Sequence, residues 1–455
     1  MAVVSSVERF LATHPKSNEL TAQALRLGRG LHTDAIFSPP PYIYITHAKG
    51  SRKWDVDGNE YIDYVMGFGT LLLGHAHPAL VEAVTEQVAK GTHYGAENEL
   101  ELEWAELICQ LIPAAERVEF VLSGSEGNML LAALARAYTG RKKILKFAEQ
   151  YFGWADGLLP GIARPYDKPF AGQIPPISDD AVAEGTVVIP CNDEVAMERA
   201  LAKKDIAALF LEGGGANCGR IGMPPQLVHK ARELTREYGT LLVIDEVITG
   251  FRWSPGGYQA AIGVTPDLST LAKLNSGGVP GGGAVCGRAD VMELLQLKPG
   301  DTEWNRFRHV IHRGTWNGNP LTAAAAVAML KIAAQGEVQK IAEARAKRLV
   351  EGINREIEKR GIEACAHNAT SVVHIFIGKC QRCDRSICLD AAKSMPPELV
   401  HAFNWHLLLN SVHFHRGIQG LVSAVHSEED IDQTIAAFGA AFDGMLEEKI
   451  IEPAK

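Results

Sequence analysis

Residues able to do chemistry together stand in separate short segments of this chain. Lys273 closes the apolar pair Leu271-Ala272 and precedes the glycine-rich run Gly277-Gly278-Val279-Pro280-Gly281-Gly282-Gly283. A solvated surface charge is a poor explanation of that position. Burial lowers the pKa of a lysine and frees its amine as a nucleophile toward carbonyl groups. Asp245 follows the apolar run Leu241-Leu242-Val243-Ile244, at the expected C-terminal end of a buried strand. That edge is where open parallel sheets bind ligands. A buried carboxylate needs a partner. A protonated pyridine nitrogen would be one, and the next turn's N–H groups another.

Upstream, Val118 to Leu122 is a short apolar run that ends in Ser123-Gly124-Ser125, ahead of a stretch rich in Ala and Leu. A turn of small residues entering a helix offers N–H groups and a dipole that favour phosphate, although such a turn also serves as an ordinary cap. The combination is more specific than its parts. A phosphate anchor, a carboxylate for a ring nitrogen and a lysine amine for a carbonyl are what a pyridoxal phosphate enzyme needs, with the ring as electron sink. The Gly-Lys-Ser/Thr pattern of nucleotide-binding phosphate loops is absent. A non-catalytic pyridoxal-binding protein is the rival from another class, and retention of all the elements together argues against it.

These residues need a scaffold. Lys143–Phe147, Val187–Ile189, Ala207–Leu211 and Leu241–Ile244 read as further strands. Helical spacing runs through Glu126–Tyr138, and through Pro225–Tyr238 with Val228, Ala231, Leu234 and Tyr238 on one face. Alternation of this kind predicts an α/β fold with a mostly parallel central sheet and helices on both faces. The C-terminal third reads as α+β. Helices are expected over Leu321–Ala334, Val338–Lys359, Leu399–Asn410 and Glu429–Leu446, and strands over Ser371–Ile377 and Leu421–Ala424. Near the N-terminus, Tyr42–Ile45 reads as a strand, and Trp54–Val56 and Tyr61–Tyr64 as a hairpin about Asp57-Gly58-Asn59. The expected division is a large domain over 91–333, with 1–90 and 334–455 contributing to a smaller one.

Composition narrows the partners. The 455 residues are 46% hydrophobic and 22% charged, with a net charge of -9 whose two signs are interspersed, so no nucleic-acid footprint is evident. No basic segment followed by an apolar core opens the chain, and no apolar run reaches the roughly 18 residues that span a bilayer. A cytosolic enzyme acting on small molecules is expected. Eight cysteines do not make a disulfide scaffold. Cys380, Cys383 and Cys388, with Cys365 upstream, lack a second Cys-x-x-Cys pair and are expected to be free thiols rather than a metal site.

Ordered motifs run through the chain: Trp54-Asp55-Val56-Asp57-Gly58-Asn59-Glu60-Tyr61-Ile62-Asp63, Gly74-His75-Ala76-His77-Pro78, Ser123-Gly124-Ser125-Glu126, Asp245-Glu246-Val247-Ile248-Thr249-Gly250-Phe251-Arg252, Pro266-Asp267-Leu268 leading to Lys273, and Gly314-Thr315-Trp316-Asn317-Gly318-Asn319-Pro320. In these the sequence, from about Lys49 onward, resembles the class III aminotransferases of fold type I. Its nearest likeness is to glutamate-1-semialdehyde aminomutase and to D-phenylglycine-type aminotransferases. The resemblance implies a Schiff base on Lys273 and a pairing of Asp245 with the pyridine nitrogen. Val247 and Tyr151 would cover the two ring faces. Ser123, Gly124 and Ser125 would hold the phosphate, and Asn217 would lie near the phenolic oxygen. Thr315 would reach the phosphate of a neighbouring subunit, which makes the enzyme a homodimer with shared sites. The activity implied is amino transfer between an amine or amino acid and a carbonyl acceptor by a ping-pong route. Intramolecular transfer, as in the aminomutase, and epimerisation are the alternatives.

The sequence also departs from the family. Tyr151-Phe152-Gly153 stands in place of Tyr-His-Gly, and Glu212-Gly213-Gly214 in place of Glu-Pro-Val. Both changes are expected to loosen the surroundings of the cofactor and leave the role of Glu212 open. Where the aminomutase carries a carboxylate-gripping Arg, this chain aligns Ala35 beside Asp34, with Arg29 and Arg416 as other sources of a guanidinium. The short loop Val412–Gly417 matches the D-phenylglycine type. Together these features predict an aminotransferase rather than an efficient aminomutase. His75 and His77 are expected to shape a turn, and Trp316 to line the pocket or pack a dimer interface.

Overall fold

The computed structural model describes residues 5–28, 42–162, 184–379 and 395–454. Arg29, Asp34, Ala35, Cys380, Cys383 and Cys388 lie outside them. The chain divides into two units, one of residues 79–336 and one of residues 1–78 with 337–455.

The unit of residues 79–336 is built on a seven-stranded sheet. Its strands are β1 (Arg117–Val121), β2 (Lys143–Phe147), β3 (Thr186–Ile189), β4 (Ile206–Glu212), β5 (Leu241–Asp245), β6 (Leu268–Leu271) and β7 (Gly283–Gly287). They lie in the order β1-β7-β6-β5-β4-β2-β3. Neighbours from β6 across to β3 pair in parallel, and β7 runs antiparallel between β6 and β1. Every residue of β4 and β5 is buried. Near-continuous apolar runs are what a parallel sheet covered on both faces requires. This is the mostly parallel α/β architecture of fold type I.

The helices follow their signals. Gly124–Thr139 starts at the cap Ser123 and buries Leu130, Leu131, Leu134 and Ala135. Pro225–Tyr238 begins with proline in its first turn, stops at left-handed Gly239, and buries Leu227, Val228, Ala231 and Leu234. Glu99–Leu111 had no counterpart in the sequence reading, because its alternating glutamates mask the stripe that buries Trp104 and Ile108. Trp104 stacks on Phe120 with centroids 4.0 Å apart, and its indole N–H donates to Asn275 Oδ1 at 3.0 Å.

In the other unit, the segments Ile45–Lys49, Arg52–Asp55, Glu60–Asp63 and Val412–His413 form one sheet, and Ala364–Ala369, Val372–Ile377 and Gln419–Leu421 another. The first strand starts at Ile45 rather than Tyr42, because its partner Arg52–Asp55 lies opposite Ile45–Lys49. The last strand ends at Leu421, since Val422 N–H then donates to Ser371 and Ala424 N–H to Leu72. In the expected hairpin, Asp55 Oδ1 accepts from the N–H groups of Asp57 (2.9 Å) and Asn59 (2.8 Å). His75 contacts Asp63 at 2.8 Å, beside Lys53 at 2.7 Å. Burial works against ionisation of Asp63, yet the Lys53 ammonium and His75 hold its carboxyl well below the usual range. Cys365 lies in the strand Ala364–Ala369, and Arg416 in the loop before Gln419. No single helix among the described residues is long and apolar enough to cross a membrane.

Trp104 joins β1 to the segment that follows Lys273. Replacing it by alanine empties a fully buried site and strips Asn275 of its donor. Trp104→Ala is expected to cost about 3–5 kcal/mol in urea unfolding followed by circular dichroism. A loss below about 1 kcal/mol would show that the indole does not carry this packing.

Candidate active site

The parallel strands bring their C-terminal ends to one edge. In the ladder Glu212 lies opposite Asp245, and Asp245 opposite Thr270, three residues before Lys273. From the same side β1 delivers Ser123. Its Oγ accepts from Glu126 N–H and its carbonyl from Gly127 N–H at 3.0 Å, so the Gly124 and Ser125 N–H groups are the first-turn donors this cap does not use. The backbone is packed tightly here. A Cβ on Gly124 would lie 2.5 Å from Val247 Cγ2, and one on Gly153 (φ +86°) would lie 2.6 Å from Ser125 Cα. The turn Ser123–Ser125, Val247 and the Tyr151–Gly153 segment thus meet at one place.

Asp245 is buried. Its Oδ1 accepts from Val247 N–H at 2.8 Å and its Oδ2 from Asn128 Nδ2 at 2.6 Å. Burial pushes its carboxyl up to about 6, while those hydrogen bonds and Lys273 pull it down. The sequence reading missed Asn128. Its side chain also donates to the Phe152 carbonyl at 3.3 Å and accepts from Thr270 Oγ1 at 2.6 Å. The signal was present, since Asn128 shares a helical stripe with Leu131, Ala132 and Ala135, where an amide needs a partner.

Glu212 was expected to sit in loosened surroundings, and the structure corrects this. Its carboxyl accepts from Tyr151 N–H at 3.2 Å and Cys218 N–H at 2.9 Å, tying two loops to the end of β4. Burial, followed by the nearby Asp245, pushes Glu212 up to about 8. The glycines after it are filled by close approach. A Cβ on Gly213 would meet Thr249 Oγ1 at 2.4 Å, and one on Gly214 would lie 2.9 Å from the Trp253 ring. Asn217 and Cys218 follow with φ of 50° and 56°. Tyr151 is half exposed. Burial and Asp245 raise its pKa, and Ser125 counters them.

Two lysines of this unit have strongly lowered pKa values. Lys273 has φ of 51° at the end of β6, and burial lowers its ammonium to about 8. Burial lowers Lys146, in β2, to about 7. Lys146 Nζ donates to the Leu158 carbonyl at 2.8 Å and lies 5.2 Å from the Phe152 ring centroid. Asp245 and Glu212 both act on Lys273, whereas Glu212 is the acidic neighbour of Lys146. Thr315 stands apart from this group. It is exposed, and its carbonyl contacts His93 Nε2. The neighbouring Trp316 is also exposed and meets His93 edge-on at 4.9 Å.

A buried carboxylate, a partly buried, desolvated amine and a glycine-floored helix N-terminus at one sheet edge fit pyridoxal phosphate by their chemistry. The comparisons agree. Residues 36–365 match the family model for class-III aminotransferases. The chain is 37% identical over 403 residues to glutamate-1-semialdehyde 2,1-aminomutase 2 of Brevibacillus brevis, covering 87% of this chain and 90% of that one. The fold is similar to an omega-transaminase from Sphaerobacter thermophilus, with a TM-score of 0.84, 28% identity, and 94% and 97% of the two chains covered. It is also similar to a transaminase solved with PLP bound, with a TM-score of 0.83, 26% identity, and 98% and 99% covered.

Removing a donor from a carboxylate destabilises its charged form. Asn128→Ala should therefore move the titration of Asp245 above its present value of about 6. Carboxyl carbon NMR or infrared titration of cofactor-free protein reads this directly. An unchanged or lower midpoint would remove Asn128 from the site.

Proposed function

The chain belongs to the class III aminotransferases, with pyridoxal phosphate as cofactor, and from that premise we propose that Lys273 and Asp245 run an amino transfer. The observation that carries this is the meeting of a buried carboxylate and a partly buried, desolvated amine at one strand edge beside a helix N-terminus. When bound, the cofactor supplies a carbonyl carbon for primary amines and a ring that withdraws electrons from the bonds of the attached carbon. The remaining roles belong to the chain. Lys273 would hold the cofactor through Nζ, and once displaced by a substrate amine, Nζ would take and return the proton at the substrate carbon. Asp245 would keep the ring nitrogen protonated, positioned for it by Asn128 and Val247 N–H. Gly124 and Ser125 N–H groups would take the phosphate, with Ser123 closing the cap. Val247 and Tyr151 would lie on the ring faces, and Asn217 near the phenolic oxygen. Thr315 would serve the site of a second copy in a homodimer.

For the substrate, the curated relatives favour glutamate-1-semialdehyde, rearranged by moving the amino group within one molecule. Identity of 37% across 90% of the Brevibacillus enzyme supports this reading above the intermolecular transfer expected from the sequence. Intermolecular transamination is the second reading. It is favoured by the likeness to the omega-transaminase and by the alignment of Ala35 where the aminomutase has Arg. One assay separates them. The pyridoxamine form is offered glutamate-1-semialdehyde and 5-aminolevulinate is measured, in parallel with a panel of amine donors and carbonyl acceptors. Turnover confined to the panel would reject the aminomutase.

Borohydride reduction of the loaded protein should fix the cofactor on the peptide bearing Lys273, and Lys273→Ala should abolish turnover. Adduct on Lys146 would overturn the assignment. The pH dependence has a definite sign. Capture of pyridoxal phosphate by cofactor-free protein needs the neutral amine. Its rate should rise by about tenfold per pH unit below the Lys273 pKa and level off above about 8. A rise that continues unbroken to pH 10 would point to an ordinary solvated lysine.

A further inference from the structure

The loop after β2 and the turn after β4 are joined a second time, by an ion pair that the roles above leave unused. Arg220 Nη2 donates to Glu149 Oε2 at 2.8 Å. Glu149 is two residues before Tyr151, and Arg220 three residues after Asn217. The carboxylate side chain is 10% exposed and the guanidinium 28%, so solvent screens the pair only in part. Glu149 is held on strained backbone, and Arg220, itself right-handed (φ -56°), leaves a strained turn. Glu149 adopts φ of 68°, with its N–H donating to the Gly161 carbonyl at 2.8 Å. Arg220 follows Asn217 and Cys218, both with positive φ, and its own N–H reaches the Asn217 carbonyl at 3.4 Å. A long acidic side chain keeps a left-handed backbone only where its surroundings over-determine it. Arg220 Nε is buried and has no hydrogen-bond partner among the described residues, so Glu149 anchors this guanidinium through Nη2.

The geometry points to a clasp: Glu149 and Arg220 are positioning residues that lock the Tyr151 segment to the Asn217 turn and thereby set how tightly the cofactor is kept. This rests on the assignment of Tyr151 and Asn217 to the cofactor. Glu212 ties the same two loops from beneath, by backbone N–H groups. The ion pair adds a charge-assisted closure nearer solvent, which is the part that must open if the loops are to part.

The test uses full-length protein with and without cofactor. Glu149→Gln and Arg220→Gln should each speed release of pyridoxal phosphate into a scavenger by about tenfold, with the double variant no worse than either single. Glu149→Gly separates charge from backbone strain. It relaxes the positive φ but deletes the carboxylate, and should release cofactor as fast as Glu149→Gln. In cofactor-free protein, hydrogen exchange over 149–153 and over 215–221 should rise together in either single variant. Additive effects of the two substitutions, or fast release from Glu149→Gln while Glu149→Gly releases as slowly as the unaltered protein, would overturn the clasp. Exchange that rises in one loop alone would overturn it too. Coupled exchange without faster release would leave the clasp standing and reject the cofactor roles of Tyr151 and Asn217.

Discussion

The cost of an ionised carboxylate inside the protein governs this site. Asp245 is sealed at the end of β5, and two hydrogen bonds to its oxygens do not bring it back to solution behaviour, for its carboxyl still sits near 6. The shift from 3.8 to about 6 corresponds to about 3 kcal/mol of unrelieved burial. Because the folded pKa is raised, this cost is absent below the unfolded value. It grows as pH rises between the two values and is fully present above about 6. A cation placed against Asp245 recovers that free energy. A protonated pyridine nitrogen is such a cation, so under the proposed role of Asp245 this cost would be returned as cofactor affinity and ring protonation. Glu212 fits the same logic. Burial beside Asp245 pushes it up to about 8, which works against a second negative charge at this edge while it still accepts from two backbone N–H groups.

The electrostatics also separate the lysine proposed for the chemistry from the one committed to structure. Desolvation lowers both. Lys146 spends its Nζ on the Leu158 carbonyl beneath the Phe152 ring, inside the sheet. Lys273 stands past the end of β6, on a left-handed residue, where the chain leaves the sheet at the edge shared with Asp245. Position at a strand end, rather than desolvation alone, is what separates the proposed nucleophile from a core amine.

What the sequence made legible follows the range of the interactions. Asp245, Lys273 and Ser123–Ser125 could be read because each marks the end of a strand or the start of a helix within a few residues. The bounds Lys143–Phe147 and Pro225–Tyr238 follow equally local signals of apolar run, proline and glycine. Asn128 could be read as an amide in need of a partner, but which partners it and Glu212 take could not, because those depend on sheet order. β7 inserts between β1 and β6, and β4 pairs with both β5 and β2, so residues far apart in sequence become neighbours. The pair Glu149–Arg220 is of the same kind, with its members 71 positions apart.

The departures after Glu212 show how packing replaces a motif. A proline in this turn would stiffen it by fixing φ. Here Gly213, Gly214 and Gly215 do the reverse locally, since glycine is the freest residue in the unfolded chain. Tertiary contact supplies the rigidity instead. The backbone at Gly213 lies against Thr249 and Asp245, Gly214 lies under the Trp253 ring, and Gly215 abuts Ile221 and Met223, each too close to admit a Cβ without displacement. With Gly213 N–H donating to the Asp245 carbonyl at 2.9 Å, the turn is welded to the strand that carries Asp245. Glycine here serves close approach, and the turn that leads to Asn217 is held as firmly by its neighbours as a proline would hold it from within.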